Sequence, residues 1–282
     1  MRITECPRDA MQGLTTFIPT ERKIEYINQL LKIGFDIIDV GSFVSPKVIP
    51  QMRDTTDVIS QLEWKQSASK LLAIVANVRG AETASKVEAI TYMGFPLSIS
   101  ETFQLRNTNK TIAEALNELE QIENIARQSG KKLVVYISMG FGNPYGDPYN
   151  ADVVNQFVEI LITLGADIIS LADTVGVSST EQIHDLFSVL SKQYPSVELG
   201  AHLHATPLTS FEKIDAAYKA GCRRFDGAIK GYGGCPMAKD ELIGNIATET
   251  ILQYLSSQNI ELTIDQDQFN RALMMAESIF PK

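Results

Sequence analysis

The sequence predicts a single (β/α)8 barrel over residues 1–282, with one added C-terminal helix. Three observations lead there. Eight short runs rich in Ile, Val and Leu recur along the chain, helix-period segments lie between them, and glycines punctuate the passages from helix to strand. The strand candidates, in order, are residues 3–6, 37–41, 71–75, 97–100, 133–138, 168–172, 199–204 and 225–229. The helix expected over 20–33 opens on Thr20 as cap with Glu21 just inside, then repeats apolar residues at intervals of three and four. Residues 111–129 begin the same way and stop at Gly130, a good residue just past a helix end. Residues 151–164 end at Gly165, and 178–193 precede Pro195. Gly34, Gly94, Gly130, Gly165 and Gly221 are each expected just ahead of a strand. Residues 267–280 form the C-terminal addition. Strand–helix units of roughly 30 to 40 residues, with no shift in composition and no linker, favour a closed barrel over a doubly wound open sheet.

Composition narrows the function classes. Hydrophobic residues make up 44% of the chain and charged residues 21%, ordinary for a globular protein with a large core. A net charge of −9 argues against nucleic acid and anionic membrane surfaces as partners. It leaves room for an anionic small substrate held by local basic groups. No apolar run reaches the roughly 18 residues that span a bilayer. The chain starts directly on a strand-like segment with no basic leader, and three cysteines are too few for a disulfide framework. A cytoplasmic enzyme is therefore expected; a homodimer is expected because barrels of this size often pair.

In such barrels chemistry sits where strands end and the following loops begin. Arg8, Asp9 and Gln12 follow the first run, and Asp39 and Ser42 the second. Asp173 and Thr174 follow the sixth, while His202 and His204 end the seventh. After the eighth come Gly231-Tyr232-Gly233-Gly234-Cys235-Pro236 and then Asn245. All would share one rim.

Two of the chain's three histidines are His202 and His204. In a strand they point the same way, because side chains alternate with period two. Two neutral imidazoles with Asp9 make an N2O site for a divalent ion, and the amide oxygen of Asn245 would add a fourth ligand. Such a set, with positions left for water or substrate, suits octahedral Mg2+ or Mn2+ better than closed tetrahedral Zn2+. Each residue also has a plainer reading. Asp9 suits a turn or a helix cap, and Arg8 a surface ion pair. Arg8 at a metal rim would instead stabilise a developing enolate. Asp39 and Asp173 are either carboxylates around the ligands or capping residues. Cys235 is either a passive small residue or, on its glycine-rich loop, a proton carrier. Lys47 is either solvated or the partner of an acidic group. Cys6 and Cys222 read as structural, and His184 as a surface residue.

Taken together these residues resemble the 3-hydroxy-3-methylglutaryl-CoA lyases of the TIM-barrel metallolyase superfamily. The matching segments are Pro7-Arg8-Asp9 with Gln12, Ser42-Phe43-Val44-Ser45-Pro46-Lys47, and Ala172-Asp173-Thr174-Val175-Gly176. His202-Leu203-His204, Gly233-Gly234-Cys235-Pro236 and Gly244-Asn245 complete them, in the family's order over nearly the whole chain. The resemblance implies a divalent cation on Asp9, His202, His204 and Asn245, enolate stabilisation by Arg8 and protonation by Cys235. It ties Asp39, where the family has Glu, and Asp173 to activity. It implies an acyl-CoA substrate across the barrel mouth beside Gln12, Ser42 and Lys47, with Lys47 or Arg53 as contacts for its phosphates, and a place in leucine catabolism and ketone-body formation. The chain departs from the pattern at strand one, where Thr4 or Glu5 takes the place of the family's Glu, and at Ala205, where Asp is usual. A condensing enzyme or aldolase on the same rim, a lyase for another 3-hydroxyacyl-CoA, and a non-catalytic metal-bearing barrel are the competing readings.

Overall fold

The computed structural model describes residues 1–234 and 243–280. Eight parallel strands close into one barrel: β1 (Arg2–Glu5), β2 (Ile37–Ser42), β3 (Lys70–Ile74), β4 (Ile90–Ser98), β5 (Lys132–Ser138), β6 (Ile168–Asp173), β7 (Glu198–Leu203) and β8 (Arg224–Gly227). The seam is made by β1, which pairs Thr4 with Ile37 on β2 and Ile3 with Phe225 on β8. Around it run α1 (Pro7–Gln12), α2 (Thr20–Leu30), α3 (Thr55–Ser60), α4 (Val78–Ser85), α5 (Glu101–Thr108), α6 (Ile112–Gln128), α7 (Ala151–Thr163), α8 (Thr180–Gln193), α9 (Ser210–Lys219), α10 (Thr248–Ser257) and α11 (Gln266–Ile279). The expected (β/α)8 barrel with a C-terminal helix is the fold observed.

The strands read as apolar runs because most of them are buried on both faces. One face packs on the helices, for example Ile38, Leu71, Met93, Val135 and Ile169. The other face fills the barrel, where Ile37, Leu72, Ile74, Tyr92, Val134, Tyr136 and Ile168 form a separate apolar cluster. The period of two then places Asp39 with Ile37 and Ser170 with Ile168 on the inner face. The inner half nearest the seam is polar. Arg224 donates to Thr4 Oγ1 at 3.0 Å and to Glu198 Oε1 at 2.7 Å, and Ser170 Oγ donates to Asp226 Oδ2 at 3.1 Å.

The helix signals hold where capping chemistry is explicit. Thr111 and Glu114 form a full capping box at the head of α6, and Ser179 and Gln182 form another at α8. Three expectations are corrected. Thr20 is not a cap; Pro19 occupies that position, and Thr20 Oγ1 donates to Asp54 Oδ2 at 2.8 Å. The fourth strand starts at Ile90, not at 97, and Gly94 lies inside it instead of ahead of it. A Cβ at Gly94 would stand 2.7 Å from Ile74 Cδ1, so the glycine makes room for the inner cluster. Pro7-Arg8-Asp9 is no turn. With Pro7 in the first turn, a position that tolerates its missing N–H, these residues open α1 directly after β1.

Glu5, left without a role by its sequence position, is fully buried and clamps the seam from outside the barrel. Its carboxyl accepts from Ile229 N at 2.9 Å and from Thr248 Oγ1, the two ends of the segment that carries Asn245. Burial raises its pKa from 4.5 to about 8, against the opposing bonds from Thr248 and Ile229. The unfolded chain loses this proton near 4.5 while the folded chain keeps it to about 8, so stability falls as pH rises across that window. Glu5→Gln has no proton to lose. Its melting temperature relative to the parent is expected to rise steadily between pH 5 and pH 8; a difference independent of pH would refute a protonated Glu5.

Candidate metal centre and active site

The described C-terminal mouth of the barrel holds a cavity of about 180 Å3 lined on one side by Arg8, Asp9, Gln12, His202 and His204. Val44, Ile49, Ile74, Pro96, Phe103 and Tyr136 supply most of the other side, with Asn107, Thr108, Ser138 and Thr174 as its polar points. The polar half is thus built by the strands and loops flanking the seam, and the apolar half by β2 to β5.

Asp9, His202 and His204 each offer a donor atom, and these atoms lie within 4.8 Å of one another. Three separate devices bring them there. Asp9 is set by α1: its Oδ1 accepts from Arg8 Nη1 at 3.0 Å and from Gln12 Nε2 at 2.7 Å, and its Oδ2 from Asn245 Nδ2 at 2.7 Å. His202 is set by a carboxylate behind it, with Nδ1 3.3 Å from Asp226 Oδ2 and its ring edge-on to Tyr136. His204 follows two residues on, and among the described residues its buried ring nitrogens make no hydrogen bond of ordinary geometry.

Charge in this cluster follows from burial and neighbours. Burial pushes the Asp9 carboxyl up, but Arg8 and the two imidazoles outweigh it and hold it below its ordinary value. Burial lowers His202, yet Asp226 more than offsets this and the ring titrates above its usual range. His204 is pushed down to about 4, first by burial and then by His202, so it is neutral near pH 7. A neutral imidazole with free nitrogens is the form that ligates a metal. Buried orphan nitrogens are also rare unless something is meant to meet them. The donor set therefore fits a divalent cation, with Asp226 behind His202 as the customary carboxylate that fixes a ligand's tautomer.

Arg8 ties the site to β2. Its Nε and Nη2 both reach Asp39 Oδ2, at 2.9 and 2.6 Å, and Nη1 also meets Gln12 Oε1 at 2.8 Å. Asp39 is raised to about 6 by burial, with Arg8 opposing, and its Oδ1 has no partner among the described residues. Loss of the arginine would leave two buried carboxylates unpaired, a cost of about 3–5 kcal/mol.

The remaining expected residues divide. Asn245 lies against Asp9, and the contact its amide makes is from nitrogen, to Asp9 and to the Tyr232 carbonyl at 3.0 Å. Asp173 ends β6 but does not line the cavity; its carboxylate pairs with Lys213 Nζ at 2.7 Å and with Ser178. Ser42 is buried, also away from the cavity, and its Oγ accepts from Val44 N at 3.2 Å. Lys47 is exposed and outside the lining, and the Arg53 guanidinium sits 3.7 Å over the Phe17 ring. Cys235 lies outside the described residues. Two residues ahead of it Gly233, at φ 100°, runs so close that a Cβ there would stand 2.7 Å from Asn245 Nδ2 and 2.9 Å from the Asp9 carbonyl. Only glycine fits that conformation and that gap. The sequence reading missed Asp226 and Lys213. A lone acid inside an apolar strand run was the available signal for Asp226; a lysine on an amphipathic helix gave none.

A family model described as HMGL-like matches residues 3–275. The chain belongs to the HMGL-like family. Within it, the chain is 34% identical over 274 residues to the hydroxymethylglutaryl-CoA lyase of Bacillus subtilis, covering 96% of this chain and 90% of that protein. It is 30% identical to the (R)-citramalyl-CoA lyase of Chloroflexus aurantiacus, over 92% of this chain and 84% of the relative. Among solved structures, an HMG-CoA lyase from Acinetobacter baumannii in complex with coenzyme A and 3-methylmalate superposes with a TM-score of 0.91 at 33% identity. That match covers 99% of this chain and 90% of the other.

Carboxylates behind metal-bound histidines typically contribute about 10–100-fold in affinity. Asp226→Asn is accordingly expected to weaken Mn2+ binding by that factor in a calorimetric titration. Unchanged affinity would mean that His202 is aimed without Asp226.

Proposed function

We propose that this HMGL-like protein is a divalent-metal-dependent carbon–carbon lyase that cleaves 3-hydroxy-3-methylglutaryl-CoA to acetyl-CoA and acetoacetate. The observation that carries this reading is the convergence of Asp9, His202 and His204 with the Arg8 guanidinium on one wall of the cavity at the barrel mouth. Asp9, His202 and His204 would hold Mg2+ or Mn2+, and Asn245 would join them through its amide oxygen. The ion supplies Lewis-acid polarisation of substrate oxygens when bound.

The rest falls to the chain. A basic group on this rim, Asp9 or His202, accepts the proton of the substrate's tertiary hydroxyl. The oxygen electron pair closes to a carbonyl, the C2–C3 bond breaks, and its electrons pass into the thioester as an enolate. Arg8, kept charged by Asp39 and Asp9, bears the negative charge that develops. Cys235, carried on the glycine-rich segment that runs against Asp9 and Asn245, gives the enolate carbon its proton. Gln12 borders the substrate and braces Asp9 and Arg8 together. Asp39 acts through Arg8. Burial of Asp173 against Lys213 favours a supporting role for it over contact with substrate. The pantetheine arm would cross the mouth, and a homodimer working in the cytoplasm fits the reading.

A second reading has support of its own. The (R)-citramalyl-CoA lyase matches at 30% identity over 92% of the chain, and the apolar side of the cavity would accept other substituents at C3. A related 3-hydroxyacyl-CoA is therefore the alternative substrate, cleaved by the same steps.

Incubation with Mg2+ or Mn2+ and 3-hydroxy-3-methylglutaryl-CoA is expected to release acetoacetate, and chelation to abolish it. Cleavage of citramalyl-CoA alone would favour the second reading. Arg8→Met is expected to lower kcat on the order of 10^3-fold. Near-normal turnover by both Arg8→Met and Cys235→Ala would remove the assignment of those two roles.

A further inference from the structure

We propose that Lys213 is a positioning residue for the metal centre: its ammonium fixes the main chain of His204 and thereby aims an imidazole whose ring nitrogens make no hydrogen bond of ordinary geometry among the described residues. The inference rests on the metal reading of Asp9, His202 and His204.

The two histidines are held differently. His202 has Asp226 at Nδ1, 3.3 Å away, so its ring plane is set by the side chain's own partner. His204 has no side-chain partner at either ring nitrogen among the described residues, only the Thr174 backbone near enough to raise it slightly. Its orientation must come from its backbone and from packing. That backbone lies one residue beyond the end of β7 and is bracketed by two bonds to the Asn245 segment, Ala205 N to Gly244 O at 3.2 Å and Ile246 N to Leu203 O at 3.3 Å. The carbonyl of His204 itself is taken by Lys213 Nζ at 3.0 Å.

Lys213 is well suited to this. It stands on α9, is only 5% exposed, and its three N–H donors meet three acceptors from two neighbouring βα connections. These are Asp173 Oδ2 at 2.7 Å, the His204 carbonyl, and the Gly176 carbonyl at 3.2 Å. Asp173 is in turn fixed by Ser178, through its hydroxyl and its backbone N–H at 3.2 Å. The ammonium therefore has no freedom left, and what it holds has little. Ala205, beside His204, is buried and brings no polar group to share the task. An acidic residue at 173 then matters to the centre without touching substrate: it anchors the lysine that anchors the histidine.

The test uses the full chain and two variants. Lys213→Met keeps the apolar stem and removes the three donors, but strands the Asp173 charge in the interior. The double variant Asp173→Asn with Lys213→Met removes both charges and leaves Asn able to bond Ser178. Mn2+ dissociation is read from the electron paramagnetic resonance of the free ion, and folding from the melting temperature without metal. The double variant is expected to fold and to bind Mn2+ about 10–100-fold more weakly than the parent, the range seen when a ligand loses its support. Lys213→Arg, which keeps charge and donors, is expected to bind more tightly than the double variant. A folded double variant with parental Mn2+ affinity, whatever its melting temperature, overturns the proposal and leaves Lys213 a packing residue. A parent chain that binds no Mn2+ overturns the metal reading, and the positioning role with it.

Discussion

The arrangement at the barrel mouth depends on one shared guanidinium. Arg8 reaches across from α1 to the buried Asp39 of β2 and at the same time holds Asp9 beside the imidazoles. Both carboxylates are buried and would be costly alone. With the arginine between them each is tolerated, and the first two strand ends are joined by charge as well as by the sheet. Because α1 follows β1 with no intervening loop, this bond also fixes how far Asp9 stands from β7. The cavity inherits its polarity from that geometry: the seam side carries the ions, and the far side, under β2 to β5, carries the hydrocarbon.

Around this pair the two histidines take opposite electrostatic positions within 5.4 Å of each other, centroid to centroid. Asp226 raises one and burial depresses the other, so the pair presents donors of different basicity from the last inner position of β7 and the residue just past its end. Like charges so close disfavour protonating both, a coupling that keeps at least one imidazole neutral over a wide pH range. Hydrogen bonds from Gln12 and Asn245 to Asp9 complete the enclosure without adding charge.

Much of this was legible in the sequence, for a physical reason in each case. Parallel strands buried on both faces leave unbroken apolar runs, and seven of the eight were placed that way, the fourth being expected seven residues late. His202 and His204 declared a common face by their spacing alone, and Arg8, Asp9 and Asn245 fell on the same rim through the rule that strand ends converge. What failed did so where a local signal has two meanings. Gly94 reads as a break but serves as a gap for Ile74, and the strand continues through it. Pro7 reads as a turn but starts a helix. Asp173 sits on the right strand end, yet its side chain finds a lysine contributed by α9, and no spacing within either segment announces that pairing. Asp226 escaped because a buried acid beneath a ligand is defined by its partner 24 positions away.

The seam between β1 and β8 has one further implication. The Asp9 carboxylate belongs to the first strand–helix unit, the imidazoles to the seventh, and Asn245 comes after the eighth strand has docked. During synthesis the ribosome must release the chain through Asn245 before all of these groups can meet. A fragment stopping after His204 would carry every donor of the trio and could pair β1 with β2, but would lack the β8 edge against which β1 closes the barrel. Competence for chemistry is consequently the last property the growing chain acquires, and contacts so remote along the sequence make that final closure slow compared with helix formation.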